Sequence, residues 1–289
     1  MGNNQKIKIP ATARIFTLNS AKTLRKCLES VKDFEEILIL DGNSIDGTLD
    51  IARECGARIE RQFPNTDEPT IIEDWPKLVN RAVKMAKFDW ILYVDCDESA
   101  SVGLVEEIRE IVSRSVVGYY MYKTPNRIIY NGREILYATA YPGYQYRFFN
   151  RKSGARYEGN PHYFLKFDKQ KYIPGVLKNP WYVFVDDSDA KIKKLQVLQD
   201  ALDAKSQNWK QFIRWSVFNK LFGIFKILVK VALLYLRYGF KNTLPPKLEL
   251  ARVKYKSLLF WYLMKQRFMG GQLEEDIAKK KRALERRLN

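Results

Sequence analysis

The 289-residue chain has little of what builds disulfide scaffolds or soft-metal sites: three cysteines, Cys27, Cys55 and Cys96, and one histidine, His162. An odd cysteine count without metal-site spacing excludes a disulfide framework and predicts free buried thiols in a reducing compartment. A lone histidine is by default structural rather than a ligand. Long apolar runs are also missing. The longest candidate, residues 212–236, is interrupted by Arg214, Lys220, Lys226 and Lys230. Each central charge would cost about 2.5–3.5 kcal/mol in a bilayer, so a spanning helix is not expected there. The polar start Met1-Gly-Asn-Asn-Gln-Lys6 has no apolar core, predicts no secretory leader and does not complete the myristoylation pattern. Neither internal repeats nor low-complexity tracts occur.

Acidic residues are scarce at one end only. Residues 190–289 hold 7 Asp plus Glu against 23 Lys plus Arg, whereas residues 1–189 hold 26 against 27. The net charge of +17 therefore sits almost wholly in the last hundred positions. A near-neutral domain with a basic appendage needs an anionic partner: a lipid headgroup surface, nucleic acid or an acidic glycan. Spacing separates these. Ser216, Asn219, Gly223, Lys226, Lys230 and Arg237 recur at helical intervals, one narrow polar stripe on an otherwise apolar cylinder. Lysines along such a helix, flanked by Trp, Tyr and Phe, fit an in-plane interfacial helix; the plain alternative is a core helix. Contiguous apolar residues such as 231–236 argue against a nucleic-acid surface. Pro245-Pro246 ends the helix, a second apolar stretch covers 258–264, and a basic helix closes the chain. Residues 190–289 are expected to form a helical, membrane-associating extension.

What the chain does have is carboxylate at strand ends. Residues 90–98 read Trp-Ile-Leu-Tyr-Val-Asp95-Cys-Asp97-Glu98, an apolar run of strand length that stops in three acids. Alternation sends Asp95 and Asp97 to one side while the extended geometry lasts. Like charges so close need a cation or donors between them. Oxygen-only ligands suit a hard divalent ion such as Mg²⁺ or Mn²⁺, which usually also holds substrate phosphates. An acidic loop capping a helix that starts near Ser99 is the bland alternative.

The preceding residues alternate strand and helix. Strands are expected over 13–18, 36–40 and 57–60, with helices through 24–31, 49–55 and 72–86. The spacing predicts an α/β chain with a doubly wound, mostly parallel sheet. Ligands bind beyond the carboxyl ends of such strands, where Asp41, Asp46, Asp95 and Asp97 all fall. Asn131-Gly132, between Arg127-Ile-Ile-Tyr130 and Glu134-Ile-Leu-Tyr137, signals a hairpin.

Thr17-Leu18-Asn19, then Leu40-Asp41-Gly-Asn-Ser-Ile-Asp46-Gly-Thr48, then Asp89-Trp90 leading into Asp95-Cys-Asp97-Glu98, together resemble family 2 glycosyltransferases with the glycosyltransferase-A fold. The subgroup of lipopolysaccharide-core glucosyltransferases is similar. The likeness continues through Tyr141-Pro142-Gly143-Tyr144-Gln145-Tyr146-Arg147 and Tyr157-Glu158-Gly159-Asn160-Pro161-His162 to about Leu177. A weaker echo lies at Tyr238-Gly239-Phe240-Lys241.

The resemblance implies an inverting, metal-dependent hexosyltransferase of cell-envelope polysaccharide biosynthesis. The donor implied is a nucleotide-diphosphate sugar, UDP-linked in the first instance, and the metal is Mn²⁺ or Mg²⁺. The acceptor implied is a lipid-linked glycan or lipid carrier, met peripherally at the cytoplasmic face of a membrane. It assigns residues 1–100 to a nucleotide-binding half and 101–189 to an acceptor half. Thr17, Leu18, Asn19, Asp41 and Asp46 would line the nucleotide pocket. Asp95 would lie near the ribose and also contact the metal, Asp97 would bind the metal, and His162 would stand near the metal and the diphosphate. Arg147 would hold a phosphate, and Lys77 and Asn80 would face the nucleotide, unless Lys77 is a solvated helix lysine. Relatives carry Asp where this chain has Gly143, and His-Glu where it has His162-Tyr163. The general base is therefore sought in Glu158, with Glu98 as the competitor; Glu158 is otherwise an ion-paired strand residue. A catalytically inert binding module of the same fold is the alternative function, and a nucleic-acid-binding protein a more distant one.

Overall fold

A computed structural model describes residues 7–70, 72, 74–116, 118–159, 164–190, 197, 217–269, 275 and 279. The chain forms two compact units, one of Met1–Ile128 with Pro142–Phe184, the other of Ile129–Tyr141 with Val185–Asn289.

The first unit opens with β1 (Ile9–Thr17), α1 (Ala21–Ser30), β2 (Phe34–Asp41), α2 (Thr48–Glu54), β3 (Arg58–Arg61), α3 (Trp75–Met85) and β4 (Trp90–Asp95). All four strands run parallel in the order β3-β2-β1-β4. β1 and β2 are buried on both faces over most of their length, and β2 carries the apolar run Ile37-Leu38-Ile39-Leu40 that such burial favours. Leu24, Cys27 and Leu28 of α1 pack with Ile15, Ile39 and Leu92 on one face. Leu78, Val79 and Ala82 of α3 cover Phe16, Leu38, Leu40 and Ile91 on the other. Helices on both faces are what doubly wound describes. Asp74 caps α3 by accepting from the Lys77 amide at 3.0 Å, with proline in the first turn.

Beyond β4 the sheet changes sense. β5 (Glu98–Ala100) and α4 (Val102–Val112) follow the Asp97 turn. β6 (Met121–Tyr130), β7 (Arg133–Glu134), β8 (Tyr144–Asn150), β9 (Arg156–Glu158), β10 (Phe164–Lys166), β11 (Gly175–Val176) and β12 (Trp181–Val185) come next. β8 is antiparallel to both β4 and β6, and β5 is antiparallel to β12, so the sheet as a whole is mixed. No helix starts near Ser99. Residues 98–100 are instead held extended by pairing with Val183, Tyr182 and Trp181, and Ser101 caps α4 by accepting from the Leu104 amide at 3.1 Å.

In the second unit, β7 folds back on the end of β6 through Asn131 and Gly132, both at positive φ (48° and 78°), the two-residue turn that Asn-Gly favours. The segment after it is tied to the C-terminal helices α5 (Asn219–Tyr238), α6 (Pro246–Glu249) and α7 (Ala251–Met269). The Leu136 and Tyr137 amides donate to the Asn242 carbonyl at 2.9 and 3.1 Å, and the Tyr137 ring stacks on Tyr238 at 3.8 Å. Buried Glu249 accepts from the Thr139 amide at 2.8 Å and from its hydroxyl.

On α5, Ile227 and Val231 are buried, whereas Phe218, Phe222, Phe225, Leu233 and Leu236 are exposed. At about 100° per residue the exposed apolar residues share one arc, and Lys226, Lys230 and Arg237 run along its border. The helix is thus packed on one side and leaves an apolar arc exposed on the other. Among the described residues no helix is long and apolar enough to cross a membrane. The basic tail, apart from Lys279, and residues 212–216 lie outside the described residues.

Candidate active site

Parallel register places Thr17 opposite Asp41 and Phe16 opposite Asp95, so the ends of three adjacent strands meet at one edge. The loops there are built on carboxylates. Buried Asp41 accepts from the Thr17 hydroxyl at 2.7 Å, the Ser44 amide at 2.7 Å and the Ser44 hydroxyl at 2.6 Å. Asn19, at φ 49°, donates its amide to Ser44 Oγ at 2.8 Å and accepts from the Ile45 amide at 2.9 Å. Asp46 accepts from the Ala21 amide at 3.1 Å, the Thr48 amide at 3.0 Å and the Thr48 hydroxyl, joining the starts of α1 and α2. Burial works to raise the Asp46 carboxyl, but these donors outweigh it and hold it below the usual range. Leu18 sits between the two anchored residues and borders Gly42, where an added Cβ would meet the Thr70 carbonyl at 2.9 Å.

At the end of β4 a second cluster forms. Tyr93 donates its hydroxyl to one oxygen of Asp95, and Arg147 donates to the other at 3.2 Å. Arg147 also reaches Glu98 at 2.5 Å, and the Trp181 indole N–H donates to the same Glu98 oxygen. Burial pushes the Glu98 carboxyl up to about 8, Arg147 opposing the rise and Asp95 adding to it. Asp97 is exposed in the turn, and among the described residues none donates to it.

Residues 13–167 match glycosyl transferase family 2. The chain belongs to that family. An uncharacterized glycosyltransferase of Rickettsia prowazekii (strain Madrid E) is 30% identical over 123 residues, 41% of this chain and 38% of that protein. The SPbeta prophage-derived glycosyltransferase SunS of Bacillus subtilis (strain 168) is 35% identical over 87 residues, 30% of this chain and 19% of SunS. The chain thus matches well under half the length of these curated relatives. Among solved structures, residues 1–349 of S. aureus TarS align with a TM-score of 0.45 at 16% identity, covering 91% of this chain and 92% of that one. Glucosyl-3-phosphoglycerate synthase from Mycobacterium tuberculosis, solved with Mn²⁺ and UDP, aligns with a TM-score of 0.32 at 18% identity over 43% of this chain and 45% of that one. The assignment rests on the family match.

The remaining site residues of this family 2 member are dispersed. Lys77 is exposed on α3 and lines a cleft of about 500 Å³ with Gln62, Phe63, Thr70, Asp74 and Arg81. Gln62 caps both strand ends, donating to the Leu40 and Thr17 carbonyls at 2.7 and 3.2 Å. Asn80 does not face that cleft; its amide is spent on the Tyr157 backbone, with both bonds at 2.9 Å. Glu158 sits on β9 between Lys166 at 2.8 Å and Arg156 at 2.5 Å, and these hold it below the usual range. At Gly143, where relatives carry Asp, a Cβ would come within 2.4 Å of the Asn126 side chain. The carboxylate could return only if Asn126 swung away. His162 lies outside the described residues. Tyr93 and Trp181 were not singled out from sequence. Tyr93 stands two residues before Asp95 and so on its face, a signal that was available; nothing local pointed to Trp181.

Among the described residues no three His, Cys, Asp or Glu side chains come together as an ion cage. A divalent ion carried with a diphosphate does not need one, since one or two carboxylates suffice when phosphates complete the shell. Open Asp97 beside anchored Asp95 fits that mode.

Glu98 yields a pH prediction. Its folded value lies above its unfolded one, so the folded state holds the extra proton between about 4.5 and 8, and stability must fall as pH rises through that window. Urea unfolding of the metal-free protein at pH 5 and pH 8 is expected to show a loss of more than about 1 kcal/mol, most of it absent in Glu98→Gln. Equal slopes in the two proteins would show that Glu98 is ionised throughout.

Proposed function

We propose that this chain is an active, inverting glycosyltransferase that takes its sugar from a nucleotide-diphosphate donor with the help of Mn²⁺ or Mg²⁺. The observation that carries this reading is the convergence of Asp41, Asp95 and Asp97 at the carboxyl ends of adjacent parallel strands, in a family whose name is glycosyl transfer. Thr17, Leu18, Asn19, Asp41 and Asp46 form the pre-set floor for the nucleoside, and Lys77 approaches from the neighbouring cleft. Asp97, with Asp95 behind it, holds the metal, which offsets the charge that develops on the leaving diphosphate. Arg147 keeps Asp95 in place and adds positive potential beneath the phosphates.

The acceptor hydroxyl must lose a proton as it attacks the anomeric carbon. Glu98 is nearly enclosed and committed to Arg147 and Trp181. Glu158 is ionised, and its partners Arg156 and Lys166 are exposed, so those pairs exchange at little cost. We assign the base to Glu158. A screen of common nucleotide sugars with Mn²⁺, followed by mass spectrometry of products, tests the whole reading. Wild-type protein is expected to turn over at least one donor. Asp97→Asn should abolish this and Glu158→Gln should lower transfer roughly 10²–10⁴-fold with donor binding little changed. Full activity in EDTA would end the metal-dependent mechanism, and no turnover of any donor would leave the inert binding module.

The acceptor we propose is a lipid-linked glycan or lipid carrier, reached from the cytoplasmic face of a membrane. The open apolar arc of α5, bordered by Lys226, Lys230 and Arg237, supports docking on an anionic bilayer. Each Lys or Arg near such a surface contributes on the order of 1 kcal/mol, and the apolar arc adds a term that salt does not screen. In liposome flotation the protein should rise with anionic vesicles at low salt and partly remain at high salt. Lys226→Glu, Lys230→Glu and Arg237→Glu together should release it while donor hydrolysis persists. Wild-type protein that stays with the soluble fraction at low salt would refute docking.

A further inference from the structure

Five charged side chains are buried among the described residues: Arg14, Glu36, Asp41, Arg147 and Glu249. Four of them are met by opposite charge or by donors. Glu36 accepts from Thr12 and Arg58, Asp41 from Thr17 and Ser44, and Glu249 from Thr139; Arg147 reaches Asp95 and Glu98. Among the described residues Arg14 meets no carboxylate. It is fully buried in the middle of β1, opposite Leu38 on β2 and Tyr93 on β4, and its Nε and Nη1 have no hydrogen-bond partner. A leucine or isoleucine would suit that position on packing grounds. Taking a guanidinium out of water with two of its three nitrogens unsatisfied is unfavourable, so its presence needs a reason.

Three rings supply what compensation there is. The Arg14 guanidinium lies 4.6 Å from the Tyr93 ring, 4.8 Å from Phe16 and 5.9 Å from Tyr157. Tyr93 has a second cation beside it, because Arg147 lies 5.2 Å from its ring and 4.8 Å from Trp181. One step on from the pairing of Leu92 with Phe148, the antiparallel register sets Arg147 opposite Tyr93. Across β1, β4 and β8 the row therefore reads Arg14, Tyr93, Arg147, with the phenol between two guanidinium groups. Its hydroxyl donates to Asp95, two residues nearer the carboxyl edge.

We propose that Arg14 is a positioning residue for Asp95, acting through Tyr93. Cations beside the ring restrict it to one orientation and make its hydroxyl a stronger donor. Asp95 is then held by one oxygen from Tyr93 and by the other from Arg147, ready before the donor arrives. The two buried positive charges also offset the repulsion among Asp95, Asp97 and Glu98. This inference rests on the reading of Asp95 as a donor-site residue.

The test is a double-mutant cycle on nucleotide binding. UDP, GDP, ADP, CDP and dTDP, each with Mn²⁺, are screened by thermal shift on the wild-type protein, and the strongest binder is titrated calorimetrically. Arg14→Leu is expected to melt no lower than wild type, because it replaces a buried unpaired charge with an apolar side chain. It should nevertheless bind about tenfold more weakly or worse, with Arg14→Lys in between. Tyr93→Phe, which keeps the ring, should weaken binding by a similar factor. Adding Arg14→Leu to Tyr93→Phe should cost less than about twofold more, since one path carries both effects. Wild-type affinity in Arg14→Leu or in Tyr93→Phe overturns the proposal, as does an Arg14→Leu loss that is undiminished in the Tyr93→Phe background. If no nucleotide binds wild-type protein, or if Asp95→Ala binds normally, the donor-site reading itself has failed and the inference falls with it. Normal binding in Arg14→Leu alongside weak binding in Asp95→Ala rejects only the positioning role.

Discussion

Parallel pairing of β1 with β2 on one side and β4 on the other is the constraint from which the site follows. It levels Thr17 with Asp41 and Phe16 with Asp95, so side chains 24 and more positions apart share one edge. The pairing is supported because β1 and β2 bury apolar side chains on both faces, where α1 and α3 cover them. Once strand ends are level, the loops leaving them must satisfy backbone groups at close quarters. Asp41, Asn19 and Asp46 do this with short polar side chains, and the same residues thereby stiffen the strand-end loops.

Electrostatics supplies the second constraint. Three carboxylates within four residues repel one another in a partly desolvated place. The fold answers with one buried arginine bonded to two of them, an indole donor on Glu98 and a raised Glu98 carboxyl. Asp97 alone is left open to solvent, the arrangement expected if an incoming metal with its diphosphate completes the balance.

Much of the first hundred residues was legible in the sequence, because β2 and β4 carry apolar runs of strand length and the loops are dense in turn residues. β2 and β4 and the Asp41–Thr48 turn stand where spacing put them. The three-residue β5 was not legible, since its extended form is imposed by β12, about eighty positions later in the chain. Asn80 looked like a pocket amide and is a clamp on the Tyr157 backbone, a role that depends on where β9 returns. The link between the 129–141 hairpin and the C-terminal helices likewise runs through contacts such as Thr139 with Glu249, which no local pattern announces. The α5 stripe was read as polar residues at helical spacing on an otherwise apolar cylinder, and within the described residues only packing reveals which part of that apolar surface stays open.

The central claim is that the carboxyl edge of β1, β2 and β4 is where a nucleotide diphosphate and its metal bind. The most direct measurement is a crystal structure with Mn²⁺ and the nucleoside diphosphate that binds best, with anomalous scattering used to find the manganese. The account predicts manganese at Asp97, bridged to the diphosphate, and the base beside Asp41. Manganese and nucleotide bound elsewhere on the protein, with Asp97 untouched, would contradict it.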